Sequence, residues 1–247
     1  METRSERIIT QIEIRTRNLK RAAAFYRDVF EWKVIPTAPD YAMVDTGLPP
    51  IASLWEMRSP QLPLGLCNNV TVEDCAKEGE NVRRLGGKVY VAKHEVPGSG
   101  WFVGTQDPWG NDLFLWEPLV PGRPQLTGAR RNPFVLWEIC TPDLPKAIEY
   151  YSSLLGWAFG GVVFSFNYAL TEGVGLQRGV GLVGGPRSNR ARGTVNYIAV
   201  EDLVRSAARV REAGGWIVNG PGDLPGEGRY FIFEDLDRNR VGVLQSG

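Results

Sequence analysis

The chain has 247 residues, 28 basic and 28 acidic side chains and 43 % apolar content. That length suits one large domain or two mid-sized ones, the apolar share supports a packed core and argues against disorder, and the balanced charge offers no basic surface to nucleic acid or an anionic membrane. The opening METRSERIITQIEI is charged and lacks a signal core, no window reaches the roughly 18 apolar residues of a spanning helix, and the three scattered cysteines Cys67, Cys75 and Cys140 fit a reducing cytoplasm.

In chain order, QIEIRT from Gln11 alternates polar and apolar residues as a half-buried strand does. Asn18 is placed to cap a helix whose inner face is Leu19, Ala23, Tyr26 and Phe30. WKVIP, YAMVDT and IASLWEM then read as three short strands. NNVTVE opens a second series, with Asp74 as a cap, CAKEGENVRRL as a helix and Gly86-Gly87 as its end. KVYVAK, WFVGTQ and DLFLWE follow as strands, and His94 falls in the loop after KVYVAK. The second half repeats the order. Asp143 caps a helix with Leu144, Ile148, Tyr151 and Leu155 inside, and Asp202 starts one with Leu203, Ala207 and Val210 inside.

The halves also match residue by residue. Glu13, Ile14, Thr16, Leu19, Ala22, Tyr26 and Trp32 recur as Glu138, Ile139, Thr141, Leu144, Ala147, Tyr151 and Trp157, at an offset of 138 − 13 = 125. Asp107 and Asn111 recur as Asp235 and Asn239, and PGSG at Pro97 recurs as PGEG at Pro225, where the offset is 225 − 97 = 128. Such order over most of two halves marks an internal duplication. It divides the chain into domains at 1–118 and 133–247, joined by a Pro, Gly and Arg-rich linker at 119–132. Duplication inside one chain makes a monomer possible as well as a homodimer.

Four β-α-β-β-β modules in two tandem pairs, with NLKRAAAFYRDVFEW, VEDLVRSAARVREAGG and PGSGWFVGTQDPWGN as the carrying stretches, resemble the vicinal oxygen chelate superfamily. That group includes glyoxalase I, bleomycin- and fosfomycin-resistance proteins and extradiol dioxygenases. The resemblance covers nearly the whole chain. Among members of the group, the second half looks most like two-domain glyoxalase-like proteins. It implies an α+β fold of two tandem glyoxalase-like domains with curved, cup-forming mixed sheets. In the enzymes, each cup holds a metal and a small oxygenated ligand.

The same resemblance places the family's metal ligands on particular residues here. The first-strand His or Gln falls on Gln11 and, in the second half, on Leu136. The module-two position gives Cys67 and Val195. The last-strand Glu falls four residues after the turn glycine, on Phe114 and Gly242. Glu56 is a candidate for the last strand of module one. An amide oxygen is a weak ligand, and one histidine in the chain cannot supply a two-His iron site. That weighs against an extradiol dioxygenase.

Several residues carry two readings. Glu13 and Glu138 share a strand face with Gln11 and Leu136, as structural acids or as general bases. Phe114, Trp116 and Trp101 are core, or an aromatic wall of a ligand cup that also includes Gln11 and Leu136. His94 is a solvated histidine, or a base at the rim. Asn68 and Asn196 recur on strands, where a structural role is expected. The sequence therefore points to small-molecule binding, either as a metal-free binder or as an isomerase or lyase using Glu13 or Glu138. The alternative is a divalent-metal lyase or isomerase (Zn, Ni, Fe or Mn) in the first half, with Gln11 and Glu56 as ligands and Glu117 or His94 assisting.

Overall fold

The computed structural model describes residues 7–58, 64–120, 132–163, 167–185, 193–224 and 228–245. Module one runs β1 (Ile9–Thr16), α1 (Leu19–Phe30), β2 (Lys33–Ala38), β3 (Tyr41–Asp45) and β4 (Ile51–Glu56). Module two runs β5 (Gly65–Thr71), α2 (Cys75–Arg84), β6 (Lys88–Val96), β7 (Gly100–Gln106) and β8 (Asp112–Pro118). Module three runs β9 (Phe134–Thr141), α3 (Leu144–Leu155), β10 (Gly160–Val163), β11 (Tyr168–Thr171) and β12 (Val180–Gly184). Module four runs β13 (Thr194–Ala199), α4 (Leu203–Glu212), β14 (Trp216–Leu224), β15 (Gly228–Glu234) and β16 (Arg240–Gln245).

Each half supplies one eight-stranded mixed sheet, in the orders β2-β3-β4-β1-β5-β8-β7-β6 and β10-β11-β12-β9-β13-β16-β15-β14. Within every module the first strand runs parallel to the last, and the other pairings are antiparallel. A helical crossover between parallel neighbours is what allows that pairing.

The helices start where the sequence says. Asn18 Oδ1 accepts from Arg21 N at 2.9 Å, and Asp74, Asp143 and Asp202 do the same for α2, α3 and α4. Each satisfies an orphan N–H of the first turn. Three modules add a second cap from the end of their last strand. Glu56 Oε2 accepts from Leu19 N at 2.8 Å, Glu117 Oε2 from Cys75 N at 3.0 Å, and Gln245 Oε1 from Leu203 N at 2.9 Å. Buried helix faces are wider than the single stripe expected. On α1 the buried set is Ala22, Phe25, Tyr26, Val29 and Phe30, while Leu19 and Ala23 are only half-buried. Two partners, a sheet and a second helix, cover more of the helix surface than one sheet would.

By packing, the chain forms two compact units, one built on modules two and three, the other on modules one and four. Sheets follow the sequence halves, and helix packing does not. In one unit α1 packs with α4, around Phe25, Tyr26, Phe30, Trp32, Phe134 and Phe233. In the other α2 packs with α3, and Tyr150, Tyr151, Trp157 and Trp137 form the aromatic core.

The repeated D-x-x-x-N turn joins the two modules of each unit. Asp107 accepts from the backbone N of Trp109 and Asn111, from Asn111 Nδ2 at 2.7 Å and from Tyr151 Oη at 3.0 Å. Asn111 Nδ2 also donates to Cys140 O at 3.0 Å. Asp235 repeats this with Asp237 N, Asn239 N, Asn239 Nδ2 at 2.9 Å and Tyr26 Oη at 2.9 Å, and Asn239 Nδ2 reaches Arg15 O at 2.7 Å. The fourth residue of the turn has positive φ in both copies. Gly110 takes it without a Cβ penalty, and Arg238 takes it at φ 67.

Candidate functional site

One face of module one gathers polar groups. Strand alternation places Gln11, Glu13 and Arg15 on it, and the β1/β4 register sets Ser53 beside Glu13 and Trp55 beside Arg15. The β3/β4 register adds Tyr41 and Met43 to the same face. Glu13 and Arg15 are 6 % and 3 % exposed, Ser53 is fully buried, and Gln11 and Tyr41 are half-buried. Glu13 Oε1 accepts from Arg15 Nε at 3.4 Å. Gln11 Nε2 donates to Ser53 Oγ at 2.8 Å and also to Tyr41 Oη.

Burial pushes the Glu13 carboxyl from its ordinary 4.5 up to about 7, and the Arg15 guanidinium keeps it from rising further. A carboxyl in that range changes charge near neutral pH. It can take a proton from a ligand or give one. Burial, and then the nearby Glu13 charge, hold the Tyr41 phenol above its ordinary value, so Tyr41 stays protonated. Module four fixes the backbone under this cluster, because Asn239 holds the carbonyl of Arg15.

The matching face of module three carries different side chains. Leu136 and Cys140 stand where Gln11 and Arg15 stand, and Gly181 lies beside Glu138. A Cβ on Gly181 would overlap the Tyr168 hydroxyl. Glu138 is 8 % exposed. Module four shows the same filling: a Cβ on Gly242, the position of Phe114, would overlap the Tyr197 ring.

Module two carries an aromatic face. Phe114 and Trp116 on β8 lie beside Gly104 and Phe102 on β7. Phe102 stacks on Phe114 at 4.9 Å, with Tyr90 6.3 Å from Phe114 and His94 5.4 Å from Phe102. His94 is therefore an exposed strand residue of β6, and the loop expected there begins after Val96.

Trp101 does not join this face. It pairs with Glu117 on the opposite side of β7, where Lys93 Nζ sits 5.2 Å from its ring and 2.7 Å from Glu117. One residue of offset along a strand reverses the face, and that corrects its place in the aromatic wall.

The metal alternative meets the same obstacle. Glu56 pairs with Thr16, one residue out of step with Gln11 and Glu13, so it points away from them and caps α1. Glu117 likewise caps α2. Gln11 donates to Tyr41 and Ser53 through Nε2, which leaves only its amide Oε1, a weak ligand by itself. Among the described residues no three His, Cys, Asp or Glu side chains converge as a metal site. A divalent ion wants three or four such donors. The described residues do not fit one.

The other sequence candidates lie in the packing. Cys67 and Val195 are buried, and Asn68 and Asn196 are fully buried on β5 and β13. A cavity of about 460 Å³ lies on module four, lined by Gly214, Trp216, Asp235, Leu236 and Arg238, and none of the Glu13 cluster lines it. Sequence reasoning missed Arg15, Tyr41 and Ser53. The signal for two of them was present: Arg15 continues the alternation of Gln11 and Glu13, and Tyr41 recurs as Tyr168.

Residues 132–243 match the model of the Glyoxalase/Bleomycin resistance protein/Dioxygenase superfamily, and residues 9–47 match the Bleomycin resistance protein-like N-terminal model. The chain is 24 % identical over 250 residues to "Putative glyoxylase CFP32" of Mycobacterium bovis and of Mycobacterium tuberculosis, covering 95 % of this chain and 93 % of each relative. Among solved structures it is similar to the Mn(II)-bound glyoxalase from Novosphingobium aromaticivorans, with TM-score 0.69, 15 % identity, and 97 % and 82 % of the two chains covered. A variant of homoprotocatechuate 2,3-dioxygenase from B. fuscum gives TM-score 0.69 at 16 % identity, over 98 % of this chain and 71 % of the other. The 2,3-dioxygenase LapB from Pseudomonas sp. KL28 gives 0.65 at 13 %, over 98 % and 94 %. At those identities the solved structures establish the fold alone. The second half of the chain therefore matches the Glyoxalase/Bleomycin resistance protein/Dioxygenase superfamily model, and the chain shares its fold with the solved glyoxalase and dioxygenases.

Proposed function

We propose that this chain binds a small oxygenated molecule over the polar face of module one, and that Glu13 exchanges a proton with it without a divalent metal. The observation that carries the reading is a buried carboxyl, paired with one guanidinium, whose titration falls at about 7. A structural acid needs no such poise, while a general base or acid works best near the ambient pH. The relatives named as glyoxylase and glyoxalase support small-molecule chemistry, and because the solved glyoxalase is Mn(II)-bound the metal-free part of the proposal rests on the residues of this chain alone. Leu136, Cys140 and Gly181 stand around Glu138 where Gln11, Arg15 and Ser53 stand around Glu13, and we assign Glu138 a structural role.

The protein would work as a monomer or a homodimer. No described helix is long and apolar enough to cross a membrane, and three free cysteines support a place in the cytoplasm.

The test is metal analysis joined to ligand screening. Protein purified without chelator is expected to carry no stoichiometric zinc, nickel, iron or manganese. Small-molecule binding or turnover is expected to depend on pH with a midpoint near 7 in the native chain, and to lose that midpoint in Glu13→Gln. A stoichiometric metal that Gln11→Ala removes would overturn the reading.

A further inference from the structure

Four buried asparagines carry polar atoms with no hydrogen-bond partner among the described residues. The open atoms are Oδ1 and Nδ2 of Asn68 and of Asn196, and Oδ1 of Asn111 and of Asn239. Asn68 and Asn196 are fully buried, and Asn111 and Asn239 are 1 % and 2 % exposed. A buried amide without hydrogen bonds is costly, and native proteins leave few of them. The deficit recurs at the same two places of the repeat, since 196 − 68 = 128 and 239 − 111 = 128.

Strand pairing brings the members of each pair together. Asn196 pairs with Val241 on β16, and Asn239 lies two residues before Val241, on the same face. In module two Asn69 pairs with Phe114, so Asn68 lies on the opposite face, with Leu113 and Asn111. That face looks to the helices, because the turn aspartates beside these asparagines accept from Tyr151 of α3 and Tyr26 of α1. Strands about 4.8 Å apart and two steps of about 3.3 Å along them set the paired Cα atoms about 8 Å apart. Asparagine side chains across such a diagonal fall short of a direct bond, and one small molecule closes the gap.

The open atoms define that molecule. Nδ2 of Asn111 already donates to Asp107 and to Cys140 O, and Nδ2 of Asn239 to Asp235 and to Arg15 O. The bridge must therefore donate to Oδ1 of Asn111 or Asn239, and accept from Nδ2 of Asn68 or Asn196. A hard cation takes about six oxygens, and each pair offers two. An anion cannot donate to Oδ1. Val70, Leu113 and Leu115 share the face of the first pair, and Ile198, Val241 and Phe233 that of the second. All six are buried, a close-packed setting for the smallest neutral donor and acceptor, water.

We infer that each compact unit holds at least one internal water, between Asn68 and Asn111 in one and between Asn196 and Asn239 in the other, which carries the Asp-Asn-Tyr turn through to the first strand of its module. The network then runs Tyr151, Asp107, Asn111, water, Asn68 in one unit, and Tyr26, Asp235, Asn239, water, Asn196 in the other. It stands independently of the Glu13 reading.

The experiment is oxygen-17 magnetic relaxation dispersion on the full chain, which counts waters held for longer than the protein takes to tumble. Asn68→Leu and Asn196→Leu nearly keep the volume and remove both open atoms of their residue. Each is expected to lower the native amplitude by at least one water, and the double variant by the sum. In the native chain, NMR cross-relaxation from water to the side-chain N–H groups of Asn68 and Asn196 is expected, with the sign of a long-lived contact. That measurement needs no variant, so it decides the matter even where a substitution prevents folding. A native amplitude that neither substitution lowers, or no cross-relaxation at either amide, would overturn the inference. A water at one asparagine alone would overturn its claim for both units.

Discussion

Module one and module three descend from the same repeat, and they differ where chemistry would happen. Both bury a glutamate on the first strand, Glu13 and Glu138, and both set a tyrosine on the third, Tyr41 and Tyr168. Around these, module one keeps Gln11, Arg15 and Ser53, and module three has Leu136, Cys140 and Gly181. The lesson is that fold and site separate cleanly. Strand register, helix caps and aromatic core survive in both, while the amide, guanidinium and hydroxyl of Gln11, Arg15 and Ser53 have no like side chain at the matching positions of module three. A duplicated chain can let one copy serve as scaffold while the other holds the reactive cluster.

The largest effect that would sharpen this contrast is loss of Arg15. Arg15→Met should cost about 3 kcal/mol at pH 8, because it strands an ionised Glu13 in the interior. At pH 5 the cost should shrink as Glu13 takes up a proton. The module-three counterpart, Cys140→Ala, should cost less than about 1 kcal/mol at either pH. Denaturant melts at the two pH values check both, and equal costs for the two substitutions would erase the distinction.

Next is the pH profile. Glu13 holds its proton up to about 7 in the folded chain but only to about 4.5 unfolded. Its contribution to stability is therefore largest below 4.5, falls as pH rises through that window, and stays flat above 7. The total swing is no more than about 3 kcal/mol for this one group. Glu13→Gln should flatten stability between pH 4.5 and 7, measured against the native chain. A profile unchanged by the substitution would mean that Glu13 does not titrate there.

The two latch asparagines come third. Asn111→Ala and Asn239→Ala should each cost about 2 kcal/mol, since each leaves a buried aspartate and a backbone carbonyl short of a donor. Only Asn239→Ala should also shift the Glu13 titration, because Asn239 holds the Arg15 carbonyl. Carbon-13 NMR of the glutamate carboxyls separates the two.

The smallest effect is steric. Gly181→Ala should cost about 1 to 2 kcal/mol by pushing Tyr168 off its seat. Ser53→Ala removes no volume of that kind and should cost about 1 kcal/mol through its hydrogen bonds. Thermal melts of Gly181→Ala and of its combination with Tyr168→Ala test the clash, which the second change should relieve.

Much of this was legible in the sequence. Alternation fixed the faces of Gln11, Glu13, Leu136 and Glu138, the caps Asn18, Asp74, Asp143 and Asp202 announced four helices, and the repeat announced four modules. What stayed hidden depended on pairing between strands. The side of the sheet taken by Glu56 and Trp101 follows from their cross-strand partners, and no single strand displays those. The roles of Asp107 and Asp235 were hidden for a similar reason, since Tyr151 and Tyr26 lie 44 and 209 residues away along the chain.

Those paired turns carry one last consequence. Each compact unit takes a module from either half, so a proteolytic cut in the linker would not release two self-sufficient pieces. A fragment ending near Pro118 would keep Tyr26 and lose Asp235, and would keep Asp107 and lose Tyr151. Its helices would present aromatic surface with no cover. The duplication that looks in the sequence like two beads on a string has become obligate complementation. The second half is therefore indispensable to the folding of the first.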